Sequence, residues 1–507
     1  MKISKYAEEE SSLFGTQIVV ISTVTSIFEG EVFIMETEIR KPTFLQSIIV
    51  LVIVLLIVLV SVVVFKTDPH IPLFFACAVC VIFAKTLKFK WQEIENTLFE
   101  GLRIGLLPIL IMLLIGMTIG AWIASGTVPY IIYLGLNFIS AEWFLPATLL
   151  SCILMSVCTG SSWTTLGTIG IASMGIGLGL GIDPGLTAGA VISGAYFGDK
   201  ISPMSDATNF AATVAGTTLF EHINSTIFTI LPATIISLIL FTVFGLKDNS
   251  GTFDQGTITQ MSSTLEGMFY FNPVLLLPPL FLVVVVLKKI PALVGMSISV
   301  FAGGVFAIVF QGANIPDIIN YLHYGYVGNS GVEVIDELVS KGGMESMLWT
   351  ISLILIALPL GGLLNKIGVL EVILSKITEL KSRFSLIMAT LLTNASLNFV
   401  VGDSFFAALL TAKTYTSAYD KNNIDRKVLS RSIEDGGMFA WPTVPWGVNA
   451  IFIVSTLGVS VSAYLPYYFL GMFTPIISMI LAITGIGVFY TDRNNQKTDE
   501  AFTDRTG

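Results

Sequence analysis

Long apolar runs separated by short polar clusters dominate the chain. The first run, 44–65, is 22 residues long and carries no charge. At 1.5 Å of rise per residue, about 20 apolar residues span the ~30 Å hydrocarbon core of a bilayer, so this run predicts a membrane-crossing helix. Similar runs at 69–85, 105–125, 223–246, 272–288, 291–311, 345–365 and 462–489 predict further spans. Two more, 184–222 and 432–461, contain polar, Pro-bearing interruptions and predict broken helices. The stretches 143–180 and 384–418 are each interrupted by a small polar motif, Thr159-Gly160-Ser161-Ser162-Trp163-Thr164-Thr165 and Val401-Gly402-Asp403-Ser404. Arms of about 15 residues on either side are short for a crossing, so these stretches predict re-entrant hairpins with polar tips.

The pattern repeats itself. Ala147-Thr148-Leu149-Leu150 matches Ala389-Thr390-Leu391-Leu392 at an offset of 242, and the same offset lays Gly160-Ser161-Ser162-Trp163 on Gly402-Asp403-Ser404-Phe405. Ile235-Ile236-Ser237-Leu238-Ile239-Leu240 lies on Ile476-Ile477-Ser478-Met479-Ile480-Leu481 at an offset of 241. Each half then holds a hairpin followed by a Pro-broken helix. Paired interrupted segments in two halves are a sequence pointer to a transporter's midplane site. The predicted fold is therefore an all-α polytopic membrane protein: about ten transmembrane helices plus two re-entrant hairpins, arranged as two inverted repeats with broken helices.

Basic residues near the span ends set the orientation. Arg40 and Lys41 precede the first span, and Lys85, Lys88, Lys90 and Arg103 follow the second. Lys288 and Lys289 end the sixth, while Lys376, Lys381, Arg383, Lys421, Arg426, Lys427 and Arg431 flank the second hairpin. Placing these clusters in the cytoplasm gives ten crossings, both termini inside, and hairpins that enter from opposite faces. That count lays 126–140 and 366–380 along the membrane interface. The domains read as a cytoplasmic extension (1–43), a first span (44–68), a first repeat (69–246), a connecting loop and span (247–289), a second repeat (290–489) and a cytoplasmic tail (490–507). Residues 1–34, with Glu8-Glu9-Glu10 and a weak apolar patch, resist assignment. Met35 opens a short charged lead, so 1–34 are read as either a mis-assigned start or a dispensable extension. The first run is also too long for a signal-peptide core, so no cleavable signal is expected.

Composition agrees. Of 507 residues, 54% are hydrophobic and 12% charged, with mean hydropathy +0.83; a soluble domain carries about 25% charged residues. The net charge of -9 offers no basic surface to nucleic acid. Cys77 and Cys80 have metal-ligand spacing, but no His or second Cys pair accompanies them, so all four cysteines read as small buried residues. Gly175, Gly177, Gly179 and Gly181 follow no strand and are read as packing positions rather than a nucleotide loop.

The most informative stretch is Gly198-Asp199-Lys200-Ile201-Ser202-Pro203-Met204-Ser205-Asp206-Ala207-Thr208-Asn209, a polar, Pro-broken run inside an apolar region. Ionisable groups at membrane depth cost a few kcal/mol each and are read as functional. Sodium needs several oxygen ligands, which hydroxyls and freed carbonyls at helix breaks supply. The first-half candidates are Asp206, Asp199, Thr159, Ser161, Ser162, Ser205, Thr208 and Asn209, with Na+ assigned to Asp206, Ser162 and Asn209. Their second-half counterparts are Asp403, Ser404, Asn394, Asn398, Thr443 and Asn449. Asp206 reads as a cation ligand and proton carrier, or as the N-cap of the segment from Ala207; Asp403 reads as a transport carboxylate or a tip cap. Lys200 either neutralises Asp206 or Asp403 when no cation is bound or snorkels to an interface. Glu434 and Asp435 are expected at the surface, and Glu221 and His222 near water. Trp163, Trp441 and Trp446 read as cavity walls or interface anchors.

The run from Tyr196 to Asn209, together with Thr159-Gly160-Ser161-Ser162, resembles the signature of the NhaC-type Na+/H+ antiporter family. The resemblance covers about 44–490. It implies Na+/H+ exchange across a prokaryotic plasma membrane, two inverted repeats with re-entrant hairpins moving in an elevator-like way, and a homodimer. Na+, H+ and the lipid bilayer are then the partners, with no resident cofactor. A malate/lactate antiporter coupled to Na+ and H+ resembles the same family, so the cargo stays open between a bare cation and an organic anion.

Two physical readings follow. In the first, a buried carboxylate holds either a proton or Na+, since burial favours the neutral acid and a cation favours the ionised one. In the second, an organic anion is exchanged, although Lys200 is the only deep cation the sequence offers. An intramembrane hydrolase fits poorly: there is no His-Glu-x-x-His run and only three His are present.

Overall fold

The computed structural model describes residues 41–247, 255–288, 290, 292–374, 380 and 382–491. The expected extension 1–34 and its acidic run, Arg40, Lys289, Lys376, Lys381 and the tail beyond 491 lie outside these residues, as do most of 375–380 and part of the connecting loop. Among the described residues the chain is helical throughout, apart from one isolated bridge between Ile424 and Tyr490.

Among the described residues seven helices are long and apolar enough to cross a membrane, or eight if one bent pair counts as a span. The first, Phe44–Leu59, starts at a reciprocal cap: the Thr43 hydroxyl accepts from the Gln46 N–H, and the Gln46 side chain accepts from the Thr43 N–H. In its span Phe44–Val62 only 22% of the residues are buried. A helix so apolar that leaves most of itself uncovered has lipid as its solvent, and the protein is a multi-pass membrane protein. The sequence count of about ten is finer than this. The runs at 69–85 and 462–489 form helices of 17 and 16 residues, His70–Thr86 and Phe469–Thr484. The run at 272–288 opens with a tight turn, Pro273–Leu276, before Leu277–Leu287. Thr127–Phe138 is a short helix of 12 residues.

The two interrupted stretches adopt the same backbone. Ala141–Thr159 ends at Gly160, Ser161 turns extended, and a new helix starts at Ser162. Arg383–Val401 ends at Gly402, Asp403 turns extended, and the next helix starts at Ser404. Gly160 (φ 65°) and Gly402 (φ 74°) occupy the left-handed region, where a Cβ is disfavoured, so glycine is the natural terminator. The following residue then caps the next helix: Ser161 Oγ accepts from the Thr164 N–H at 3.2 Å and Asp403 Oδ1 from the Phe406 N–H at 2.7 Å. The first arms are 19 residues each, longer than the ~15 expected, because the helix continues to the glycine itself. Length alone therefore no longer separates a hairpin from a crossing.

The broken helices correspond in the same way. Pro184–Ile201, capped by Asp183, is followed by Asp206–Ala215 and then by Gly216 in the left-handed region. Arg426–Ala440, capped by Asp425, is followed by Val448–Leu457 and then by Gly458 in the same conformation. Each of these starts, caps and terminating glycines recurs at the offset of 242 that relates the hairpin motifs.

Packing within each half repeats too. In the first, Gly194 lets the broken helix approach the hairpin arm so closely that an added Cβ would lie 2.6 Å from Leu149 O; in the second, Gly436 meets Leu391 O at 2.5 Å. Across the halves, Asp206–Ala215 packs on the second hairpin and Val448–Leu457 on the first. Replacing either glycine by Val should cost about 1–3 kcal/mol through overpacking. Purified Gly194→Val and Gly436→Val proteins should unfold at lower temperature than wild type. Gly267→Ala, where an added Cβ meets nothing within 4 Å, should not.

Candidate ion-binding cavity

The two glycine-ended hairpin tips and the two helix breaks meet around one cavity of about 420 Å³. Gly160, Ser161, Ser162 and Trp163 line it from the first tip, and Asp403, Ser404 and Phe405 from the second. Tyr196, Asp199, Ser205, Asp206 and Ala207 come from the first break; Trp441, Val448 and Asn449 come from the second. The opposite wall is apolar: Leu107, Pro108 and Ile111 from Trp91–Ala124, and Ile354 and Leu358 from Leu348–Lys366.

Each polar side chain is held by its local geometry. Asp199 sits in the last turn of Pro184–Ile201 and accepts the Ser162 N–H on Oδ1 at 2.9 Å, joining the break to the hairpin tip. Its backbone carbonyl, freed where the helix stops, accepts from the Ser205 hydroxyl at 2.9 Å and from the Thr208 hydroxyl. Ser205 also caps the next helix by accepting from the Thr208 N–H at 3.4 Å. The cap is thus Ser205, which leaves the Asp206 carboxylate unneeded for capping; Asp206 is exposed on the rim of the cavity. Asp403 is buried, caps its helix and lines the cavity as well, so both roles expected of it coexist. Trp163 donates its indole N–H to Asn449 Oδ1 at 3.1 Å, tying the first tip to the second break.

Three buried polar atoms on this lining have no hydrogen-bond partner among the described residues: Ser162 Oγ, Tyr196 Oη and Trp441 Nε1. Buried polar groups are almost always paired, so such a cluster marks a place for a ligand or water. Among the described residues no basic side chain lines the cavity, while three carboxylates do: Asp199, Asp206 and Asp403. Among the described residues no three His, Cys, Asp or Glu side chains converge tightly enough to grip a metal ion by themselves. A cation here would take its oxygens from one carboxylate together with hydroxyls and carbonyls.

Not every candidate reaches the cavity. Asn209 is exposed and donates its amide to Pro203 O (2.9 Å) and Ser205 O (2.8 Å). Thr159 closes on its own tip by accepting from the Ser161 N–H at 3.4 Å. Asn398 donates to Asn394 O and Oδ1 one turn before the second tip. Thr208 lies beneath the lining, on the Asp199 carbonyl. Trp446 donates to Phe399 O, away from the cavity that Trp163 and Trp441 line.

Several charged positions differ from expectation. Lys200 neither faces the cavity carboxylates nor reaches an interface: it is fully buried and ion-paired to Asp435. Adjacent helix residues diverge by about 100°, so Asp199 turns to the cavity while Lys200 turns away. Glu434 and Asp435 are buried rather than at the surface. Glu221 is exposed, but His222 is fully buried against Glu434. The signal for these pairs was an intramembrane Lys on one broken helix and two adjacent acids, Glu434 and Asp435, on the other. The apolar wall and Tyr196 carried no signal of their own.

The sequence pattern of the Na+/H+ antiporter family matches residues 21–203 and 194–486. The chain is 41% identical over 430 residues to the Na+/H+ antiporter NhaC of Alkalihalophilus pseudofirmus, covering 84% of this chain and 93% of that protein. It is 36% identical over 464 residues to the malate-2H+/Na+-lactate antiporter of Bacillus subtilis (91% and 99%). Against the arginine/ornithine antiporter ArcD of Halobacterium salinarum it is 32% identical over 468 residues (92% and 96%). With its two hairpin tips, its two broken helices and a match along nearly its whole length, the chain belongs to the Na+/H+ antiporter family.

Proposed function

We propose that the protein exchanges Na+ for H+ across the plasma membrane at this cavity, by alternating access. The observation that carries the reading is the charge of the lining: three carboxylates and no basic side chain. Such a site attracts cations, and with Na+ and H+ competing for the same negative charge, entry of one favours departure of the other. Asp199 is the central ligand, beside the Ser162 hydroxyl and the Ser161 and Ser205 oxygens; Asp206 guides ions at the rim, and Asp403 adds charge from the second tip.

The constant offset of 242 between the two halves supports a pair of repeats, and the cytoplasmic placement of the basic clusters makes them inverted, with both termini inside and the tips as re-entrant hairpins. A polar half of the cavity carried by repeats and an apolar half carried by other helices suits a mobile site sliding past a fixed wall. Positively charged ends near Lys85, Lys88, Lys90, Lys421 and Arg426 then face the cytoplasm.

A second reading has its own observation. The cavity is far larger than a bare cation, within the ~300–1,000 Å³ typical of small-molecule pockets, and its aromatic wall offers two unpartnered donors, Tyr196 Oη–H and Trp441 Nε1–H. Those donors suit an organic acid, as carried by the malate/lactate relative.

Proteoliposomes containing a pH-sensitive dye, challenged in turn with Na+, Li+, K+, malate and lactate, separate the readings. Na+ alone should release protons; a response that requires malate or lactate would favour the second. Asp199→Asn should abolish Na+-driven proton movement, and wild-type exchange in that variant would refute the assignment. Asp403→Ser reproduces the residue of the other tip. Since Ser caps a helix about as well as Asp, its thermal stability should match wild type, while loss of the charge weakens Na+ activation more than about tenfold.

A further inference from the structure

Behind the cavity lies a buried ionic cluster that the exchange site does not use. Lys200 pairs with Asp435, which also accepts from the Thr229 hydroxyl at 3.0 Å. His222 Nε2 lies 3.1 Å from Glu434 Oε2, and its Nδ1 lies 2.7 Å from Ser430 Oγ. Arg431 donates through Nη1 to Gly487 O at 2.8 Å. Glu434 Oε1, Asp435 Oδ2 and the Arg431 Nε and Nη2 atoms are buried without hydrogen-bond partners among the described residues. His222, Lys200, Arg431, Glu434 and Asp435 are each no more than 1% exposed.

We propose that His222 and Glu434 form a proton-binding site separate from the cation cavity, whose proton leaves when a cation enters. Two features of the geometry argue for it. The first is that the ring can gain and lose a proton with every heavy atom in place. Ser430 Oγ lies 2.7 Å from His222 Nδ1 and 3.1 Å from Lys427 O. In the cationic ring both nitrogens are donors: Nδ1–H donates to Ser430 Oγ, whose own hydrogen turns to Lys427 O, and Nε2–H donates to Glu434. In the neutral ring the Ser430 hydroxyl turns and donates to Nδ1, while Nε2–H still donates to Glu434. Both states leave the ring fully paired, and one hydroxyl rotation accommodates the loss of the Nδ1 proton to solvent or its gain from solvent.

The second is charge balance. Lys200 and Arg431 offset Glu434 and Asp435, so the cluster is neutral when the ring is neutral. Asp199, next to Lys200, adds one negative charge when ionised. A proton on His222 then offsets the Asp199 charge while the cavity is empty. A cation at Asp199 offsets it instead, and the two positive charges repel in a low-dielectric interior.

Every neighbouring element fits this account. On its own helix, Glu221 is exposed and held by Thr217 and Thr218. Arg426–Ala440 contributes Arg426 and Lys427 at its start, paired with Asp420 and Asp425, then Arg431, Glu434 and Asp435. The first broken helix contributes Tyr196, Asp199 and Lys200, and Asp206 beyond the break. Phe469–Thr484 has no titratable side chain, and Glu142 on the first hairpin arm adjoins Gly245 at the far end of the helix.

The inference rests on the exchange reading only for its link to Na+. The chain has three His, so a His70→Gln/His323→Gln protein, with exchange activity checked, leaves His222 as the one imidazole. Its ¹⁵N resonances should pass from cation to neutral ring as pH is raised over the range in which the protein stays folded. At a pH where at least half the rings are cationic, saturating Na+ should turn them neutral. A ring locked in one state across that range, or a ring that ignores Na+ while ²²Na+ binding is measured directly, overturns the proposal. Absence of ²²Na+ binding would instead count against the cavity assignment, leaving the Na+-free titration to decide the proton site. Ser430→Ala removes the acceptor at Nδ1, so the neutral ring should persist at a pH where the parent is cationic. Ser430→Thr should restore the parent behaviour, and an unchanged titration in Ser430→Ala would contradict the route through that hydroxyl.

Discussion

A helix that stops inside a bilayer leaves up to four N–H or four C=O groups unpaired, and hydrocarbon offers them nothing. The same constraint holds wherever a helix stops among apolar neighbours, and the four interruptions in this chain answer it locally. Each hairpin helix ends on a left-handed glycine, and the next residue, Ser161 or Asp403, caps the helix that follows. The freed Asp199 carbonyl is taken up by two hydroxyls from the segment it precedes. Once these ends are satisfied, the polar atoms left over point at one another across a shared cavity. The site is a by-product of making the breaks tolerable, and that is why its ligands are caps and carbonyls rather than a cage of acids.

The breaks alone would not hold the two halves in register. Lys200 of the first broken helix pairs with Asp435 of the second, and His222 of the following helix Leu219–Lys247 pairs with Glu434. Removing one partner of a buried pair strands the other charge, at about 3–5 kcal/mol, far more than an exposed pair contributes. Such pairs are therefore a strong constraint on relative position even where their net contribution to stability is small. Because Asp199, which lines the cavity, precedes Lys200 directly, any displacement of the pair is felt at the cavity.

Much of this was legible in the residues. The glycine–cap motif at both tips, the offset of 242 and the Pro-broken polar run all follow from local rules about which residues end helices, and the structure places those elements around one cavity. Asp199, Asp206, Ser161, Ser162, Asp403, Ser404 and Asn449 reach it because they flank breaks. What local rules do not contain is direction. Asn209 is three residues past Asp206 yet folds back on Pro203 O and Ser205 O, since its amide finds freed carbonyls nearer than the cavity. Glu434 and Asp435 sit beside basic residues in a polar-looking segment, a pattern that reads as surface, and only their partners 212 and 235 positions away reveal them as interior. The number of crossings is also underdetermined, because a 17-residue apolar helix satisfies either a tilted span or a buried segment.

The same electrostatics orders the two cargo readings. An organic acid entering this cavity would find donors at Tyr196 and Trp441 but also three carboxylates and no basic side chain. Two neutral hydrogen bonds contribute about 1 kcal/mol each, whereas one like charge at 4 Å costs about 4 kcal/mol at an effective dielectric constant of 20. Donors alone therefore lose. The anion becomes acceptable only after protons or Na+ have neutralised the carboxylates, and the cation then becomes part of the anion's binding site. Cation exchange is in this sense the more basic activity of such a cavity. Carrying an organic anion requires the same cation chemistry first, with the aromatic wall and its spare donors providing the added specificity.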